Sequence, residues 1–385
     1  MASATSPGPF SPHILMRIAI VLDSLIRGGA ERQALYATGE LTQLGYDVEL
    51  IYYNRVDAAY DSSALRPDTI SFMPKRGRPF RFLWQLQSYF RSKRFDVVHG
   101  WMGGPSIYAG LAGRVAGVPI VFAGYRCEYD GTGATRMAHR VVNKLVTGWI
   151  VNSKATVPSL VRGVGANPSK VRVVYNGIDP KAFTSGLTAV EAKAKLGIPG
   201  NAGTVSIIGQ LRPQKNHSLF IQMAAVVAKQ LPATEFLVVG HGTGDEQQVF
   251  ERLAESLGVG KQVRFLGSRS DIPDVLAATD IVMLTSHYEG VSNSLLEAMS
   301  VGRAVVSTAY AGVDELITNG HDGLIAPMGD AGALASHVVS LLLDAKLRER
   351  LGQAARETIR SRFTMSAMAR NLHSVYQEAF DRSQQ

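Results

Sequence analysis

The segment Glu289-Gly-Val-Ser-Asn-Ser-Leu-Leu-Glu297 sets two carboxylates on either side of small polar residues, directly after the apolar run Ile281–Leu284. The run reads as a buried strand and the residues from Asn293 onward as a helix. The first N–H groups of a helix have no intrahelical partner and carry partial positive charge. The backbone amides of Asn293, Ser294 and Leu295 can therefore receive a phosphate. Glu297, one or two turns into the helix, can accept hydrogen bonds from a ribose diol, and Glu289, ahead of it, can reach sugar hydroxyls. Two solvated glutamates on a capped surface helix are the ordinary alternative; the loop's position just after a strand favours the ligand reading. A second segment, Gly209-Gln-Leu-Arg-Pro-Gln-Lys-Asn216, follows the run Thr204–Ile208. Arg212 and Lys215 supply the positive charge that a diphosphate leaving group needs as its bond to a sugar breaks. Arg can grip two phosphate oxygens in parallel, whereas Lys acts as a point charge.

Three further places add weaker signals. Gly240-His-Gly-Thr-Gly244 follows Glu235–Val239, and Gly240 and Gly242 would let the backbone approach a nucleotide closely, unless they only reverse the chain. Gly28-Gly-Ala-Glu-Arg32 follows Arg17–Leu22; Gly28 and Gly29 suit a close approach to a sugar or phosphate. The spacing is not Gly-x-Gly-x-x-Gly, so it gives no support to a dinucleotide cofactor. Glu31 and Arg32 are candidate acceptor-side groups or plain first-turn helix residues. His99 ends the run Asp96–His99 and is expected to face the cleft as a catalytic or acceptor contact; Trp101 and Arg126 are placed on the acceptor side with it. The single cysteine, Cys127, reads as an ordinary part-buried thiol, and no Cys, His and carboxylate cluster has metal-ligand spacing, so no metal and no cofactor beyond the donor substrate are expected.

These residues need elements to hold them in place. Strand-like runs, mostly continuous rather than alternating, occur seven times before residue 180 and six times after it, with helical stretches between. That pattern marks parallel strands covered on both faces. We expect an α/β protein of two doubly wound, Rossmann-like domains facing each other across a cleft. Residues 1–15 read as a disordered extension, 16–180 as the first domain, 181–364 as the second, and 365–385 as a final helix. No secretory signal and no membrane-length apolar run is evident, which suggests a cytoplasmic protein. Net charge is +8, of which residues 1–180 hold +9 and residues 181–385 hold −1. Lys75–Phe95 contains seven Lys or Arg and no acidic residue, interleaved with Phe80, Phe82, Trp84, Tyr89 and Phe90. Such a segment can lie on the anionic inner face of a membrane, or pack its aromatics inward and leave its cations merely solvated. No helix-turn-helix, zinc finger or RNA-binding signature accompanies the charge, so specific nucleic-acid binding is not expected.

Together the residues resemble the retaining glycosyltransferases of the GT-B fold, in the family 4/group 1 set that includes many bacterial lipopolysaccharide, exopolysaccharide and mannosyl transferases. The resemblance runs from Met16 to about Phe380 and rests most on the Glu289…Glu297 segment. Gly28–Gln33, Asp96–His99, Asn176-Gly-Ile-Asp179, Arg212–Asn216 and Glu315–Ile325 are also similar. It implies metal-independent transfer of a hexose-type sugar from a nucleotide-diphosphate donor (UDP- or GDP-linked) to a glycan or lipid-linked acceptor, with retention, in envelope polysaccharide or glycolipid synthesis. Lys215 would bind the diphosphate, Glu297 the ribose and Glu289 the sugar; Gly28 and Gly29 would lie near the donor phosphates and the acceptor. The last helix would cross back onto the first domain. Two positions depart from the family's pattern: Gln210 stands where an Arg is common, leaving Arg212 to take its place, and Trp101 where many members carry a second His. A nucleotide-sugar epimerase on the same fold, a nonspecific anion- or nucleic-acid-binding protein and a catalytically weak sugar-binding protein are the competing readings.

Overall fold

The computed structural model describes residues 16–26, 28–55, 69–242 and 244–385, so the proposed 1–15 extension lies outside the described residues. Seven strands, β1 (Arg17–Leu22), β2 (Asp47–Tyr52), β3 (Ile70–Phe72), β4 (Val97–Gly100), β5 (Ile120–Tyr125), β6 (Gly148–Val151) and β7 (Val171–Val173), form one sheet in the order β3-β2-β1-β4-β5-β6-β7. Six more, β8 (Thr204–Ile208), β9 (Glu235–Val239), β10 (Val263–Gly267), β11 (Ile281–Leu284), β12 (Ala304–Thr308) and β13 (Leu324–Ala326), form a second in the order β10-β9-β8-β11-β12-β13. Every pairing within the two sheets is parallel.

Each apolar run became a strand, with ends shifted by a residue or two. β5 runs on through Gly124 because a Cβ there would meet the carbonyl oxygens of Gly100 and Trp101 at 2.6 Å; only glycine fits beside the end of β4. Between the strands lie α1 (Gly29–Gln43), α2 (Pro79–Lys93), α3 (Gly103–Ala116), α4 (Gly133–Leu145) and α5 (Thr156–Val164) in the first half. In the second lie α6 (Ala189–Lys195), α7 (His217–Gln230), α8 (Glu246–Ser256), α9 (Ile272–Ala278), α10 (Asn293–Ser300), α11 (Ala331–Leu343), α12 (Ala345–Arg362) and α13 (Met365–Ser383).

Both sheets reverse direction at their first strand, between β1 and β4 and between β8 and β11. A crevice opens at the carboxyl ends of strands flanking such a reversal. The loops after β1, β4, β8 and β11 hold Gly28, Trp101, Lys215 and Glu289 respectively, so the topology delivers these motifs to the switch points. The chain crosses between the halves twice, side by side: Ile178 pairs with Thr364, and its N–H donates to the Phe363 carbonyl at 2.9 Å. α13 then buries Met368, Leu372, Tyr376 and Ala379 in the core formed by Ile18, Ile20, Leu22 and Leu50. The last helix thereby completes the first domain.

The basic aromatic stretch divides on folding. Phe82, Leu86 and Phe90 of α2 are buried in the first domain's core, and the Tyr89 hydroxyl donates to Glu49. Phe80 and Trp84, one turn apart, stay 86% and 66% exposed. Three of the five aromatics of the stretch are thus spent on packing or hydrogen bonding, as the helical repeat requires of a helix with one buried face.

Candidate functional site

The loop after β8 and the loop after β11 are tied together by backbone and hydroxyl contacts. Thr285 Oγ1 donates to the carbonyls of Lys215 at 2.8 Å and Asn216 at 3.0 Å. Gln214 Nε2 donates to the Tyr288 carbonyl at 2.8 Å, and the His287 N–H to the Gln214 carbonyl at 2.9 Å. Asn216 turns the chain into α7 with a positive φ of 50°, a conformation that asparagine tolerates. The Lys215 stem lies over Gly209, where a Cβ would stand 3.3 Å from Cε. These constraints bring Lys215 Nζ to 2.7 Å from Glu289 Oε1, which also accepts from Ser286 Oγ at 2.7 Å. The pair is largely buried, with side-chain exposures of 18% and 10%.

A second convergence joins the domains. The N-termini of α1 and α10 abut: a Cβ at Gly29 would collide with the Asn293 side-chain amide. Neither helix begins with a side-chain cap, since Gly28 has no side chain and Ser292 does not fold back. Two positive dipole ends therefore share one place. One turn along each helix, Arg32 donates to Glu297 in an ion pair across the cleft, and its guanidinium lies 5.0 Å from the centroid of the Phe183 ring. Gln33, fully buried, donates to Asn293 Oδ1 at 3.0 Å and the Gly177 carbonyl at 2.8 Å, and accepts from the Gly177 N–H at 2.9 Å. Asn176 donates to the Val291 carbonyl at 3.1 Å and to Asn293 Oδ1 at 3.2 Å. Leu295 sends its side chain into the second core, so only its backbone faces the junction, and Ser294 shares a hydroxyl contact with Ser292.

Charges line both walls. Glu31 is buried behind Gly28, and burial pushes its carboxyl up to about 7, with the Asp23 charge adding to the effect and the Arg212 charge opposing it. Asp23 is likewise raised by burial. Arg212 is exposed on the second domain, and its charge reaches Glu31 and Cys127 of the first. The Cys127 thiol is pushed up to about 12, chiefly by burial, so it is not a thiolate at neutral pH. Among the described residues no group of three or more His, Cys, Asp or Glu could hold a metal ion.

His99 and Trp101 are placed elsewhere than expected. His99 does not face the cleft: it is fully buried, its Nδ1 lies 2.8 Å from the Tyr376 hydroxyl, and burial holds its pKa well below the usual value. Trp101 is also fully buried, donating to the Ala30 carbonyl at 2.9 Å and so pinning the first turn of α1. The parallel sheet is covered on both faces at its centre, which leaves His99 inside. Arg126 lies on the Trp101 ring, 3.7 Å from its centroid. Gly240 and Gly242 serve local packing: a Cβ at Gly240, where φ is 144°, would strike the Gly209 carbonyl, and one at Gly242 the Glu246 carboxylate. Thr243 of that turn lies outside the described residues.

The sequence reading assigned no role to Gln33, to the Asn176 side chain or to Glu315. Glu315 accepts from Ser153 Oγ at 2.6 Å, the N–H groups of Lys154 and Ala155 at 2.8 and 2.9 Å, and the Tyr175 hydroxyl at 2.9 Å. These bonds hold its carboxyl below the usual range despite burial. A polar residue beside a motif was the only signal for any of the three.

Comparison with known proteins agrees with this architecture. The family model Glycosyltransferase Family 4 matches residues 27–182, and Glycosyl transferases group 1 matches residues 189–358. The chain is 24% identical to the Escherichia coli UDP-Gal:alpha-D-GlcNAc-diphosphoundecaprenol alpha-1,3-galactosyltransferase, over 95% of this chain and 98% of that one. It is 26% identical to the D-inositol 3-phosphate glycosyltransferase of Stackebrandtia nassauensis, over 92% and 88%. Among solved structures, Anabaena HepE in complex with UDP and glucose superposes with a TM-score of 0.82 at 19% identity, over 94% of this chain and 99% of that one. WaaG, a glycosyltransferase involved in lipopolysaccharide biosynthesis, superposes at 0.72 and 18% identity, over 93% and 99%. The chain belongs to the glycosyltransferases of family 4/group 1, with the GT-B fold of two parallel-sheet domains.

Proposed function

We propose that the protein transfers a hexose-type sugar from a UDP-sugar to a lipid-linked or glycan acceptor of the cell envelope, with retention at the anomeric carbon and without a resident metal. The observation that carries this is the meeting of Lys215–Glu289, Arg32–Glu297 and the abutting α1 and α10 N-termini in one interdomain junction. The pyrophosphate would take Lys215, Arg212 and the Asn293–Leu295 amides, which would free Glu289 for the sugar hydroxyls. Glu297 would exchange Arg32 for the ribose diol. The departing phosphate, neutralised by fixed cations, would accept the acceptor's proton on the same face, so the protein's part is positioning and charge stabilisation. The donor base follows the UDP bound by HepE and named in the E. coli relative's donor. An envelope acceptor follows the diphosphoundecaprenol-linked acceptor of that relative and the involvement of WaaG in lipopolysaccharide biosynthesis.

Thermal-shift titration with UDP-, GDP- and ADP-sugars, then product analysis in EDTA with a diphospholipid-linked sugar acceptor, tests the reading. A rise in Tm with UDP-sugars and an α-linked product are expected. Isomerised donor without acceptor would convert the assignment to an epimerase.

Peripheral membrane contact belongs to the same reading. Among the described residues no helix is long and apolar enough to cross a bilayer. The exposed Phe80 and Trp84 sit among Arg76, Arg78 and Arg81 with no acidic residue nearby in sequence, a composition suited to an anionic lipid interface. Flotation with anionic vesicles at low salt is expected to carry the protein upward, and Phe80→Ser/Trp84→Ser to leave it at the bottom; no flotation of the wild type removes the contact.

A further inference from the structure

The carboxyl ends of β4, β5 and β6 hold three side chains, His99 and Asn152 buried and Arg126 part-buried, each with a buried atom that no described protein group satisfies: His99 Nε2, Arg126 Nη2 and Asn152 Oδ1. These are neighbouring strands of one sheet. Arg126 is the most costly of the three. Among the described residues its polar contacts are long, Nε to the Trp101 carbonyl at 3.4 Å and Nη1 to Asn176 Oδ1 at 3.5 Å. Among the described residues no carboxylate lies within ion-pair distance of it, and burial pushes it down to about 9. It therefore remains protonated at neutral pH. Neutral groups surround it: the Trp101 face, the Tyr376 hydroxyl and His99, which burial keeps uncharged. Buried cations are ordinarily paired, because desolvation without a counter-charge costs several kcal/mol.

The position of this cation gives it a purpose. A Cβ at Gly290 would lie 2.6 Å from the Arg126 carbonyl and would collide with the Asn152 amide. Arg126 and Asn152 therefore form the wall against which the Glu289–Gly290 turn closes. We propose that Arg126 is a substrate oxyanion-binding residue, and that Asn152 beside it accepts a hydrogen bond from a hydroxyl of the same substrate. The oxyanion is either the donor pyrophosphate or an acid group, carboxylate or phosphate, on a sugar. The inference rests on the assignment of this cleft to a sugar nucleotide and adds the chemical class that its first-domain wall selects.

The test is calorimetric titration of the full chain and of Arg126→Gln with UDP, UDP-glucose, UDP-glucuronate, inorganic pyrophosphate and sodium glucuronate, with Tm as the fold control. A lost hydrogen bond to a charged group corresponds to roughly a 10- to 100-fold change in Kd. Weakening of UDP and pyrophosphate by that factor assigns Arg126 to the donor diphosphate. Weakening confined to UDP-glucuronate and glucuronate assigns it to a sugar acid. Because the wild-type guanidinium has no counter-charge among the described residues, Arg126→Gln is expected to melt close to the wild type, and Arg126→Lys to restore part of the affinity. Unchanged Kd for every probe overturns the proposal. Failure of wild type to bind any uridine ligand counts against the donor assignment instead, and pyrophosphate and glucuronate still decide the role of Arg126.

Discussion

Replacing Lys215 by Met should separate the two jobs that its ammonium holds. The side chain is 18% exposed and ion-paired at 2.7 Å with a Glu289 that is 10% exposed, so the pair lies between the surface and buried limits. Exposed pairs contribute about 0–1 kcal/mol, and breaking a fully buried one costs about 3–5 kcal/mol. An intermediate loss of about 2 kcal/mol follows, because among the described residues Glu289 keeps the Ser286 hydroxyl alone. For a domain of roughly 150–250 residues that lowers Tm by about 4–8 °C. The rate effect is independent: removing one fixed electrostatic contact to developing charge costs about 10²–10³ in transfer. Lys215→Met/Glu289→Gln should recover most of the lost Tm, since no unpaired carboxylate remains, and none of the lost rate. Scanning calorimetry read beside steady-state transfer makes the distinction. Wild-type turnover in Lys215→Met, or turnover that returns with the Tm in the double variant, would refute the placing of the pyrophosphate on Lys215.

Two titrations oppose each other. Glu31 has its pKa raised from 4.5 to about 7 by burial, so the folded state keeps a proton that the unfolded chain gives up; stability should be full below pH 4.5 and fall as pH rises to 7, by at most about 3 kcal/mol. Glu31→Gln should flatten that decline in urea denaturation at pH 4.5 and 8; an unchanged slope would show the carboxyl to be solvated. His217, fully buried with neither ring nitrogen partnered by a described group, has its pKa lowered to about 4, so stability should fall as pH drops from 6.5 to 4. His217→Phe should abolish this acid loss, and persistence of the full loss would place its cause elsewhere. Gly290→Ala should hold the domains apart at Arg126 and Asn152, enlarging the radius of gyration in small-angle scattering and cutting transfer about tenfold or more at unchanged helix content; an unaltered radius would mean that the interface yields.

Much of the fold was legible because parallel strands buried on both faces must be apolar throughout. Ile18–Leu22 and Ile281–Leu284 are runs that little else explains. What the runs could not convey was depth. His99 ends such a run and so looked like a cleft residue, but α13, more than 260 residues later, brings Tyr376 over it. The same helix repeat that hid Phe82 and Phe90 left Phe80 and Trp84 outside. Composition alone, which weighs all five aromatics of that stretch alike, does not distinguish these faces.

The candidate site was legible one domain at a time. Lys215 and Glu289 could be placed together because both follow central strands of one sheet and the switch-point rule brings such loops together. Arg32 with Glu297, and Gln33 with Asn293, are separated by 265 and 260 residues and meet only through the closure of two separate sheets. No periodicity encodes that relation. Its physical trace in the sequence is the small residue at each point of contact: Gly29 against Asn293, Gly177 against Met365, and Gly290 against Arg126 and Asn152. A side chain at any of these would act as a wedge. Such glycines are readable as turn formers, yet here they are clearances, and the residues that need the clearance are known only once the partner surface is known. That is why the catalytic candidates of the second domain emerged from spacing, whereas the first-domain groups that face them, Arg32, Gln33 and Arg126, gain their meaning from the junction.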